Sequence, residues 1–253
     1  MRISLLFSTL LLFVGIVNAT PTTIIIRAKA KDAKFIGSSV GGAQVMVYHK
    51  LTGELLTQGI TTGSTGNTGR IMREAHDRYF ALADDNTAKF TAVVDIDEPT
   101  LLQIKVTAPV NQRQAAVVST TEIWAIPGKD ILGDGVVLEI PGFIIDVLAP
   151  RTHQFLPFDQ LDKQELPIEA NIVMMCGCTI SDGGLWDANK MEVKALVKHN
   201  GTFLTEVDLQ INGPNLFRGA AKIQESGLYE IVVYAYDPIT GNTGVDKVNM
   251  VVE

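Results

Sequence analysis

The chain has 253 residues, 46% of them apolar and 19% charged, with a formal net charge of −7 and two cysteines. That composition is enough for a packed core and rules out a disulfide-stapled miniprotein. With no Lys/Arg cluster in an acidic chain, it argues against nucleic-acid or anionic-membrane partners.

The chain opens with MRISLLFSTLLLFVGIVNAT, a basic Arg2 followed by an apolar run from Ile3 to Val17. Val17-Asn18-Ala19 is a small-residue cleavage pattern, so residues 1–19 are read as a secretory signal peptide cut after Ala19. An uncleaved anchor is the alternative, but the run is short for a span of about 20 residues. Removing the leader leaves 20 basic against 28 acidic residues, a net charge of −8.

Strand signals dominate the next 130 residues. TTIIIRAKA (22–30) is β-branched, and AQVMVYHK (43–50) puts Val45, Val47 and His49 on one face with Met46 and Tyr48 on the other. Further strands are expected at 55–62, 88–97, 100–109, 115–126, 135–140 and 143–150, punctuated by Gly, Pro, Asp and Asn. RIMREAHDRYFAL (70–82) reads equally as a helical insert or as a strand with an irregular loop. Residues 148–167 hold three prolines, several charges and no sustained alternation, which predicts a linker at 151–167. Alternation then resumes, and His199-Asn200-Gly201 signals a tight hairpin.

Two stretches resemble known families. GGAQVMVYHKLTGELLTQGITTGSTGNTG, within residues 23–75, resembles the opening of a carboxypeptidase regulatory-like, transthyretin-type β-sandwich. SGLYEIVVYAYDPITGNTGVD looks like the last two strands of a bacterial immunoglobulin-like domain. The second resemblance implies that Tyr229 pins a corner by bonding to backbone. Both families are mainly spacing, adhesion and binding modules, and fold alone assigns no function. The pentapeptide TGNTG occurs at 65–69 and at 240–244; two glycine-dependent turns explain it more simply than a repeated ligand loop.

The densest chemistry lies in VMMCGCTISDGGLWD (173–187). If the strand runs through it, Met174, Cys176 and Cys178 share one face and Met175, Gly177 and Thr179 the other. Alternate Cα atoms would then stand about 6.6–6.8 Å apart, at the upper limit for a disulfide unless Gly177 bends the chain. Three readings stay open: a local disulfide or buried thiols, a soft-metal site, or a redox-active or intermolecular pair. Two thiolates with thioether help select Cu(I), so Cys176, Cys178, Met174 and Met175 are the candidate metal ligands and copper the candidate cofactor. His49, His76, His153 or His199 could complete such a site. Zinc lacks a second ligand pair.

Other motifs carry less. Asp182 with Asp187, Asp130 with Asp134, and Asp237 with Asp246 fall short of the six to eight oxygens calcium takes and read as turn residues. Gly37-Ser38-Ser39-Val40-Gly41 matches a hydrolase elbow pattern, but a strand follows where a helix is required. Metal-hydrolase, haem, phosphate-loop and dinucleotide motifs do not occur.

The expectation is therefore an all-β protein: two β-sandwich domains in tandem after a cleaved signal peptide, at 20–150 and 168–253. It should be secreted or periplasmic and non-catalytic, a binding or structural module of the cell envelope. Its partner would be a protein, glycan or envelope component, with no nucleic acid and no membrane insertion once the leader is removed. A periplasmic copper-binding protein is the alternative.

Overall fold

The computed structural model describes residues 19–253; the signal-peptide reading falls almost wholly outside them. The first sandwich contains β1 (Thr20–Ala30), β2 (Gln44–His49), β3 (Leu55–Ile60), a short α1 (Thr68–Met72), β4 (Phe90–Ile96), β5 (Thr100–Ala108), β6 (Val117–Ala125) and β7 (Ile131–Ile140). One sheet runs β4-β1-β7, with β1 antiparallel to β4 and parallel to β7; the other runs β3-β2-β5-β6. Alternation fixes which face is inside. Val45 and Val47 of β2 and Leu102, Ile104 and Val106 of β5 are fully buried against Ile24, Ile26 and Ala28 of β1.

The second sandwich contains β8 (Phe143–Ala149), β9 (Gln154–Leu156), β10 (Glu165–Met174), the short β11 (Ile180–Ser181) and β12 (Trp186–Asp187), β13 (Glu192–His199), β14 (Thr202–Asp208), β15 (Gln210–Ile211), β16 (Leu216–Lys222), β17 (Gly227–Tyr236) and β18 (Thr243–Val252). Its sheets run β15-β16-β10-β8 and β14-β13-β17-β18-β9. The first four-strand order is that of an immunoglobulin-type ABED sheet, and β13-β17-β18 is its CFG partner. The Tyr229 hydroxyl, near the start of β17, donates to the Glu225 carbonyl at 2.7 Å, the corner bond that the resemblance implies.

The division between sandwiches differs from the sequence reading. β8 pairs with β10, so the chain crosses over at Pro141-Gly142 and not near residue 150. Residues 151–167 hold β9, which pairs with β18, and two 3-10 turns, one tied by the Phe158 N–H to the Glu253 carbonyl at 2.8 Å. Pro157 marks the end of β9, and Pro167 lies in the first part of β10, opposite Ala220 and short of the stretch that pairs with β8, where a missing N–H is tolerated. Residues 70–82 resolve as the end of α1 followed by irregular chain. That chain is held by Asp134, whose carboxylate accepts from the Leu82 and Ala83 N–H groups at 2.8 and 2.9 Å.

Beneath the same loop lies Arg27, 3% exposed, whose guanidinium donates to the carbonyls of Thr87 and Ala88. It staples the 61–88 excursion to β1.

The sandwiches share one continuous apolar core. At the joint the buried Asn242 side chain accepts from the Gly142 N–H at 2.8 Å and donates to the Lys31 carbonyl at 3.1 Å. Gly142 stands at φ +115°, and a Cβ there would meet the Thr243 carbonyl oxygen at 2.7 Å, so the crossover needs glycine. Gln114 of the first half donates to the Asp146 carboxylate of the second at 2.9 Å.

Candidate functional site: a cationic cleft at the Cys-Gly-Cys turn

The predicted strand through Cys176 and Cys178 stops at Met174. The chain then reverses: the Gly177 N–H donates to the Met174 carbonyl at 2.7 Å, the Met174 N–H to the Cys178 carbonyl at 3.1 Å, and Val173 bridges Thr179. Gly177 sits at φ +75°, the left-handed region open to glycine. That bend brings the two Cα atoms to 5.3 Å, inside the disulfide range, and Cys176 and Cys178 are bonded to each other.

The disulfide changes what the predicted ligands can do. Bonded sulfurs present no thiolate, the form that binds metal. Met174 and Met175, each 1% exposed, are core residues. The histidines are engaged elsewhere: the His49 ring accepts from the Thr52 N–H, His76 stacks on Phe80, His153 meets Phe155 edge-on, and His199 stacks on Tyr229. Among the described residues no three His, Cys, Asp or Glu side chains gather closely enough to hold a metal ion. The four sulfur residues thus do not fit copper in this state; binding it would require a reduced pair and a displaced Met174.

What the turn does form is one wall of a cleft of about 430 Å³. Cys176, Gly177, Cys178, Thr179, Leu185 and Trp186 come from the second half; Lys34, Ser39, Thr65, Thr68 and Arg73 come from the first. Trp186 is set by its indole N–H, which donates to the Asp32 carbonyl at 2.9 Å. Thr65 and Thr68 belong to the first TGNTG turn, where Gly66 takes φ +81° and the Asn67 side chain caps α1 by accepting from the Arg70 N–H at 3.0 Å. Arg73 ends that helix. The second TGNTG copy, with Gly241 at φ +71°, supplies Asn242 to the joint instead.

The cleft is electrically one-sided. No carboxylate lines it, and neither Lys34 nor Arg73 takes part in an ion pair among the described residues. Burial pushes the Lys34 ammonium down from its ordinary pKa. Such a site favours an anion, because each cation keeps its charge unsatisfied. Lys34 and Arg73 carry no signal in the sequence: they lie far from each other and from the cysteines, the packing of Phe35 on Ile71 within the first half brings their segments together, and the joint between sandwiches sets them against the cysteines.

Of the carboxylates singled out by spacing, Asp182, Asp187 and Asp237 serve local turns, whereas Asp130, Asp134 and Asp246 tie backbone N–H groups far along the chain, which the turn reading did not expect. Asp187 accepts from the Gly183 and Asn189 N–H groups, and Asp182 from the Asn189 side chain. Asp130 accepts from the Thr23 N–H, Asp237 from the Ile239 N–H and Thr240 hydroxyl, and Asp246 from the Val147 N–H. Ser39 lies in a 3-10 turn, and no histidine joins it in the cleft.

A second cleft of about 530 Å³ escaped the sequence reading. It opens between β14 and β16 and is lined by His199, Leu204, Glu206, Lys222, Glu225 and Tyr229 among others. The His199 and Tyr229 rings stack at 4.7 Å between centroids.

No family model matches the chain, and no curated protein matches it. Solved structures give distant similarities. The fibronectin(III)-like modules of Clostridium thermocellum CbhA align at 16% identity over 92% of this chain and 94% of that one, with a TM-score of 0.30. The major pilin subunit of Bacillus cereus aligns at 12% identity over 92% and 69%, with a TM-score of 0.32. An engineered protein aligns at 12% identity and a TM-score of 0.33 over 48% of this chain, which spans only 22% of that one. The strand pairings themselves make this an all-β protein of sandwich type.

Proposed function

We propose that the chain is a non-catalytic structural and binding module of the cell envelope, secreted or periplasmic, that holds two sandwiches in fixed relation and engages a protein, glycan or other envelope component. The leader supports the location; among the described residues no helix is long and apolar enough to cross a membrane. The transthyretin-type and immunoglobulin-like readings of the two halves belong to this proposal.

One observation carries it. The outer face of the β3-β2-β5-β6 sheet carries exposed apolar side chains among polar ones. Trp124 is 60% exposed beside Leu101 at one end, Val118 on β6 and Ile60 on β3 stand exposed at the other, and Tyr48 and Met46 lie half-exposed between the two ends. Exposed apolar patches of this kind, interspersed with Gln103, Lys105 and Glu122, are what contact surfaces are made of. The packed joint adds rigidity to that surface.

The test is retention of envelope components on the immobilised mature chain. Saturable retention that disappears in Trp124→Ser/Tyr48→Ser, with the circular dichroism spectrum unchanged, is expected. No retention, or equal retention by the variant, overturns the reading.

A further inference from the structure

We infer that the Cys176–Cys178 disulfide is a charge-selective thiol-exchange site whose co-substrate is a small thiol carrying a carboxylate. The disulfide forms a wall of a cleft whose charged residues are Lys34 and Arg73, with no carboxylate among its lining residues. The protein around it is acidic, so the cleft is a local exception to the net charge. A carboxylate seated on the two cations places its thiol beside the disulfide. The same cations lower the pKa of a thiolate there and so raise its population.

Of the two sulfur residues Cys178 is the more open, at 8% exposure against 1% for Cys176. The incoming thiolate attacks Cys178 Sγ, the Cys176–Cys178 bond breaks, and Cys176 leaves as a thiolate. A second thiolate attacks the carrier's sulfur in the mixed disulfide and frees Cys178. Two thiols become one external disulfide, two electrons pass to the protein, and the two protons released by the thiols are available to the new cysteines.

Structure makes a rigid demand here that a merely exposed disulfide would not: selectivity by charge. The experiment compares three thiols of similar size and different charge, 3-mercaptopropionate, 2-mercaptoethanol and cysteamine, reducing the oxidised mature chain. Rates are divided by those of the same thiols against a small neutral disulfide, which removes differences in intrinsic reactivity. At low salt the anionic thiol should lead the cationic one by about fivefold or more, and the lead should shrink in high salt. In Lys34→Gln/Arg73→Gln the ratio should fall to about one. An unselective wild type, a ratio unchanged in the double variant, or two free thiols in the denatured unreduced protein would each overturn the assignment. Should the double variant fail to fold, the salt dependence of the wild type decides alone.

Discussion

The two clefts of this molecule differ in a way that volume hides. The one between β14 and β16 is larger, but its charges are of both signs: Glu206 and Glu225 line it with Lys222 and His199, Glu206 binds Lys194, Glu225 lies 3.8 Å from His199, and Tyr229 is committed to a backbone carbonyl. The one at the Cys-Gly-Cys turn is smaller and keeps two cations without counter-charges. It also exists only because two sandwiches meet, whereas the other lies within a single sandwich. A single sign of charge, more than space, separates a candidate site from a gap between sheets.

That contrast is open to breakage. The largest effect should come from Asn242→Ala. It leaves the Gly142 N–H and the Lys31 carbonyl unpaired in a buried joint, at a cost of about 2–3 kcal/mol in denaturant unfolding. Hydrogen exchange should quicken at the cationic cleft and stay slow around β14 and β16; equal change at both would dissolve the distinction. Next, Tyr229→Phe should cost about 1–2 kcal/mol by orphaning the Glu225 carbonyl, with thiol exchange at the other cleft untouched. Gly177→Ala should cost about 1 kcal/mol, from the left-handed backbone and a Cβ within 2.8 Å of Val40 Cγ1, and should alter the exchange rate without disturbing Tyr229.

The smallest effect is in the pH profile. Burial, and after it Asp246, holds the Asp146 carboxyl above its ordinary pKa; burial and then Asp237 do the same for Asp32. A raised folded value means the folded chain holds a proton that the unfolded chain has lost. These groups therefore add stability as pH falls through their folded pKa values and retain it below the ordinary Asp value of about 3.9. Glu122 and Glu230, held down by Lys50 and Lys198, act in the opposite sense and lose their contribution at lower pH. Thermal unfolding should thus show slightly higher stability in mild acid than at neutrality, and Asp32→Asn/Asp146→Asn should flatten that rise. An unchanged slope would remove these two carboxylates from the account of the joint.

Much of the architecture could be read from residue order. Period-two alternation put Val45 and Val47 on one face and Met46 and Tyr48 on the other, and the fold buries the first pair; Asn200-Gly201 marked its hairpin with positive φ at both residues. Three things resisted, each because tertiary partners decide them. β8 looks like the end of the first half because nothing local reveals that β10 is its neighbour. Residues 151–167 look like a linker because their order comes from β18 and from the chain's last residue. The sulfur segment looks like a strand because local pattern overlooks one glycine's choice of φ. The cysteines stood out in the sequence as its densest chemistry; Lys34 and Arg73, which line the same cleft, did not.

The earliest described strand carries a further consequence. β1 is an interior strand, flanked by β4 and by the much later β7. A chain emerging from its amino end cannot seal that layer until Ile140 is also free, so closure of the leading sandwich is a late, non-local event. The bond between Gly142 and Asn242 spans a hundred residues more, so the joint is sealed after the leading layer.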